Sequence, residues 1–143
     1  MATTTQRLVT EKALTDALAG HNYSSGVYRI TTLQNGWTGN IYVSRTGKLV
    51  EVSIDNLVAS AATAGVVYQL PAGLRPRRFK RSEVFITYIA DAGKDFARVG
   101  IATDGVITMY SYENAAFGFY GEIPPYTTLE TAPVTMPGTF SAA

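Results

Sequence analysis

Between positions 75 and 81 the chain reads RPRRFKR, and Arg75, Arg77, Arg78, Lys80 and Arg81 supply five of its twelve basic side chains. The other seven face eleven carboxylates, so the protein is polarised although its net charge is only +1. Guanidinium groups hold phosphate and carboxylate through paired, charge-assisted hydrogen bonds, so such a run can form an anion site. In an extended segment Arg75, Arg77 and Arg81 fall on one side and Arg78 and Lys80 on the other. Neither side is then dry, which predicts an exposed run. Two readings stand: a solvated loop paired with neighbouring carboxylates, or a site for anionic polymers contacted by Arg77, Arg78 and Lys80.

A second candidate lies in the aromatic-rich stretch from Tyr110 to Tyr126. Aromatic rings stack on the apolar faces of sugars while carboxylates and amides bind hydroxyls, and Tyr112, Glu113, Asn114, Tyr120 and Glu122 offer that mixture. The same rings could instead fill a core or a subunit interface, where large aromatics are common. Catalytic chemistry has little to work with. A Ser-His-Asp triad would need His21, which follows Gly20 at an expected helix end and reads as a surface cation. Asp91, Asp95 and Asp104 occupy turns without the spacing of a calcium loop. The absence of cysteine excludes disulfides, thiolate metal sites and a cysteine nucleophile. No enzyme, metal site or cofactor is expected.

The elements that must position these residues turn on Leu70-Pro71-Ala72-Gly73-Leu74-Arg75-Pro76. Two prolines hold φ near −65° and lack amide donors, and the glycine between them can reverse the chain. The segment should be a rigid corner, with half of a β domain on either side. Ahead of it, residues 10–19 form the one convincing helix, with Thr10 as N-cap and Gly20 as C-cap. Its stripe of Leu14, Ala17 and Leu18 needs a neighbour, either in its own domain or in sister chains.

From Gly26 the period becomes alternating. Strands are expected at 27–31, 41–44, 49–54 and 66–70, with turns at Gln34-Asn35-Gly36 and Thr46-Gly47 and with Trp37 as buried packing. Small residues at 57–65 suit a connection. Beyond the corner, strands are expected at 84–88, 96–103 and 106–113, the last pair joined by Asp104-Gly105, with a final strand at 126–130. The expected fold is all-β: an antiparallel β-sandwich or jelly roll with a short N-terminal helix. Residues 1–21 would be an attachment or trimerisation segment, 22–131 the β domain and 132–143 a loose tail.

Charged residues make up 16% of the chain, against roughly 25% in ordinary soluble domains. With nine Tyr and six Phe, this implies surface hidden by another chain, and a homo-oligomer is expected. The small net charge speaks against nucleic acid as a partner. No apolar run approaches the ~20 residues of a transmembrane helix, so no membrane insertion is expected. The first residues, Met1-Ala2-Thr3-Thr4-Thr5, lack signal-peptide order.

In its order of elements the chain resembles the C-terminal head domains of tailed-bacteriophage receptor-binding proteins and tail fibres. The resemblance covers about residues 36–110. It rests on Gly36-Trp37-Thr38-Gly39, the hairpin from Arg45 to Lys48, the strand at 50–54, the proline-glycine corner, and Val99-Gly100-Ile101-Ala102-Thr103-Asp104-Gly105-Val106. It implies a homotrimer at a virion's tail tip or baseplate, joined to other tail subunits through the N-terminal segment and binding a bacterial surface saccharide or teichoic-acid-like polymer. A structural virion subunit without a host ligand and a polysaccharide-degrading tail protein are the alternatives.

Overall fold

The structure, a computed structural model, describes residues 23–59, 65–86, 96–110 and 118–142. The expected N-terminal helix, His21, the turn at 91–94, and Tyr112, Glu113 and Asn114 lie outside the described residues. Within them the chain is all-β. Nine strands form one sheet: β1 (Ser24–Ile30), β2 (Thr38–Thr46), β3 (Leu49–Val58), β4 (Val66–Gln69), β5 (Lys80–Ile86), β6 (Phe96–Ile101), β7 (Val106–Tyr110), β8 (Phe119–Thr127) and β9 (Thr139–Ala142). Their order is β4-β7-β6-β5-β8-β3-β2-β1-β9, and every pairing is antiparallel.

The alternating pattern sets the inner face. Ile41 and Val43 on β2 and Val50, Val52 and Ile54 on β3 are buried, and their sequence neighbours point away from the core. The β2–β3 hairpin closes at Thr46↔Leu49, so the two-residue loop is Gly47-Lys48, one residue later than the expected Thr46-Gly47 turn, because Thr46 still pairs in the ladder. The Asp104-Gly105 hairpin forms as well: the Ala102 carbonyl accepts from the Gly105 amide at 2.9 Å, and Asp104 Oδ1 accepts from the Val106 amide at 3.1 Å. Trp37 is buried as expected.

A single core joins both halves of the sheet, drawing Val67, Val99, Ile101 and Ile107 together with the β2 and β3 residues. The sheet must curl to do this. The turn between β1 and β2 reaches the edge strand β4, where the Gln34 amide donates to Val67 O at 2.8 Å and Asn35 Nδ2 to Val66 O at 2.9 Å. These bonds cover the free edge of β4, an edge that would otherwise invite foreign pairing.

Several stretches differ from expectation. β3 runs on to Val58, into the stretch expected as a connection, and β5 begins at Lys80 and not at 84, because pairing with β8 and β6 extends both strands. The last long strand is not confined to 126–130 but runs from Phe119 to Thr127, through Pro124-Pro125. A bulge absorbs the prolines: between the pairs Val50↔Tyr126 and Val52↔Ile123, one residue of β3, Glu51, stands against two of β8, Pro124 and Pro125. Where a loose tail is expected from 132 onward, Thr139–Ala142 forms β9 along β1, with Phe140 edge-on to Tyr28 at 5.6 Å.

A basic corner and a grooved sheet face as the candidate site

The proline-glycine segment is a corner, and its interior is polar as well as apolar. Leu70 and Leu74 are fully buried, and the Leu74 amide donates to Pro71 O at 3.2 Å, which fixes the reversal. Gly73 has φ +95°, and a Cβ there would lie 2.7 Å from Pro133 Cδ and 2.8 Å from Thr131 O. Only glycine fits both the backbone and the space. Three side chains then fasten the turn. Glu130 Oε1 accepts from the amides of Gly73 at 3.0 Å and Arg75 at 3.1 Å. The Tyr126 hydroxyl donates to Leu74 O at 2.7 Å.

The third is Arg45, only 3% exposed at the end of β2. Its Nε donates to Gly47 O at 2.7 Å and its Nη1 to Gly73 O at 2.6 Å, so one guanidinium ties the hairpin to the corner. The guanidinium also lies 5.8 Å from the centre of the Tyr23 ring. Burial pushes its pKa down, against the opposing pull of Tyr23 and Glu130. Burial, and secondarily the charge of Glu130, pushes the Tyr126 phenol well above its ordinary range.

Directly after this anchored turn the basic run emerges. Arg77, Arg78 and Arg81 are exposed, as the sequence predicts, and Lys80, the first residue of β5, is half-buried. Arg77, Arg78 and Lys80 line one depression with Thr127, of about 170 Å³. Arg77 and Arg78 also border a wider one, about 350 Å³, with Arg75, Thr103, Leu129 and Glu130. Arg75 Nε is buried without a hydrogen-bond partner among the described residues, an arrangement that favours an acceptor nearby. The structure thus brings Arg77, Arg78 and Lys80 together around anion-sized hollows.

Tyr120 and Glu122 sit two residues apart on β8, on the face opposite Phe119 and Ile123, half-buried and exposed respectively. They do not join the arginines in one hollow. Glu122 instead borders a third depression of about 210 Å³ with Tyr42, Ser44, Glu51 and Ser53. Sequence reading did not find Thr127, Tyr42, Ser44, Glu51 or Ser53, because their proximity comes from strand register and not from spacing along the chain. It also missed the exposed ring of Phe79, 44% exposed. That ring covers Gly100, where a Cβ would meet Phe79 Cζ at 2.5 Å, and Arg81 lies over it at 5.4 Å. Of the aromatic stretch, Phe119 and Tyr126 are core.

No protein-family model matches this chain, and no curated protein sequence is similar to it. Among solved structures it is similar to the crystal structure of the receptor binding protein (gp15) of Listeria phage PSA. The TM-score is 0.59 and the identity 16%, over 90% of this chain and 81% of that one. At that identity the likeness is one of fold.

Proposed function

We propose that this protein is a non-enzymatic receptor-binding head of a bacteriophage tail or baseplate. In this reading it is a trimeric β-sandwich in the virion, joined to other tail subunits through its N-terminal segment. Its basic corner takes an anionic bacterial surface polymer, a saccharide or teichoic-acid-like chain. The observation that carries the reading is the convergence of Arg75, Arg77, Arg78 and Lys80 on adjoining hollows. The fold shared with a phage receptor binding protein supports a phage-tail setting for that basic surface. Exposed guanidinium groups on a rigid support suit repeated phosphates, which they can grip bidentately as the polymer slides from one hollow to the next.

The test is adsorption. Labelled full-length protein is incubated with a panel of bacterial strains and then with the phage that carries it. Saturable binding to permissive strains, competition with phage adsorption, and weakening by salt and by R77A/R78A are the expected results. Binding to no strain would favour the structural-subunit reading, which the fully exposed Val134 and the 70% exposed Leu129 also suit. New reducing ends from host polysaccharide would favour a depolymerase.

A further inference from the structure

β8 and its continuation border the three hollows in sequence order. Glu122, Ile123 and Pro125 line the first, Thr127 the second, and Leu129 and Glu130 the third. The first differs in charge from the others. Register places Tyr42, Ser53 and Glu122 in one row across β2, β3 and β8, with Ser44 opposite Glu51 in the next. The intervening Val43, Val52 and Ile123 are buried, so this row faces away from the core. Its hollow has two carboxylates, two hydroxyls and a phenol around it, and among the described residues no basic side chain lines it. Arg29, opposite Tyr42 on β1, does not border it.

Phosphate is repelled from such a hollow, whereas an ammonium group finds two carboxylates and several acceptors. From Glu122 to Thr127 the strand advances up to about 16 Å at ~3.3 Å per residue. The geometry points to a two-part groove along β8 that selects one class of ligand: an extended polyanion whose repeat also carries a free amine. The phosphates sit at Arg77, Arg78 and Lys80, and the amine sits between Glu51 and Glu122. This rests on the anion-site reading above and adds to it a reason for choosing among anionic polymers.

The test uses the full-length chain and three synthetic probes at low ionic strength. One is a glycerol-phosphate hexamer, the second is the same hexamer esterified with an amino acid bearing a free amine, and the third has that amine acetylated. Calorimetric titration should give an affinity about fivefold higher for the amine form than for the acetylated form, the scale of one exposed charge pair. Substituting E51Q together with E122Q should bring the two forms to equal affinity. Equal affinities in the unsubstituted protein would overturn the amine subsite and leave the anion site standing. Binding of none of the three probes would overturn both. The acetylated probe keeps the test decisive even if the double substitution perturbs the fold.

Discussion

Leu70, Gly73 and Leu74 are buried, while Arg77, Arg78 and Arg81, only a few positions later, are exposed. The first group is held by bonds from three distant elements: Arg45 on β2, Tyr126 on β8 and Glu130 beyond it. The second group is held by the first. A flexible loop bearing the same arginines would have to be ordered by its ligand, at a cost of roughly 1–2 kcal/mol for each residue fixed. Here the corner has already set the path of the chain, so the cations arrive organised. The contrast predicts that the corner answers to stability and the run to binding.

Gly73→Ala should do the greatest harm. The substitution places a side chain at φ +95° and against Pro133 and Thr131. Backbone strain of about 1–2 kcal/mol and overpacking of about 1–3 kcal/mol together predict a loss near 4 kcal/mol, read from urea unfolding. A loss below about 1 kcal/mol would mean that the corner yields easily and is no anchor. Arg45→Met should follow, at about 3 kcal/mol, because Gly47 O and Gly73 O lose a charged donor inside the protein. Arg45→Lys should recover only part of that, since an ammonium cannot present the planar fork that reaches both carbonyls.

Much of this is legible in the sequence. Alternation in β2 and β3, the hairpins near Gly47 (displaced by one residue) and at Asp104-Gly105, and the proline-glycine corner are local signals with local causes. The exposure of the basic run was legible for the same reason, since no face of it is apolar. Arg45 was not legible: an arginine next to a hairpin turn reads as surface, and nothing nearby in sequence announces the Gly73 carbonyl that receives it. The prolines of β8 concealed a strand because the bulge that tolerates them is set by register against β3. The four residues of β9 are all exposed and carry no burial pattern to read. The acidic hollow is assembled from β2, β3 and β8, so only the strand pairing reveals it.

Tyr126→Phe isolates one bond of the anchor and should cost about 1.5 kcal/mol at neutral pH, by leaving Leu74 O without its donor. It also carries a pH signature. Folding raises the Tyr126 pKa above its ordinary value of about 10, so its contribution is complete below that pH. As the pH rises further, the unfolded chain ionises this phenol first and stability falls, until the folded-state value is reached. The Phe variant should therefore lose less stability than the parent between pH 10 and pH 11. Tyr68, whose pKa burial also raises, keeps some of the slope. Parallel slopes in parent and variant would remove Tyr126 from the account of alkaline unfolding.

The smallest expected change in stability is also the sharpest test of the contrast. Arg77→Ala with Arg78→Ala removes two exposed cations from the rim of both basic hollows, and no described hydrogen bond of the fold depends on their side chains. Relieving the mutual repulsion of a crowded basic run offsets any weak pairing lost, so unfolding should shift by no more than about 0.5 kcal/mol. Cell binding should fall at least tenfold in the same variant, with a shallower dependence on salt. A variant that unfolds early would show that the run helps to hold the corner. A variant that keeps both stability and binding would leave the arginines as solvated surface, and recognition would have to be sought on the outer sheet face or at Phe79 and Tyr110.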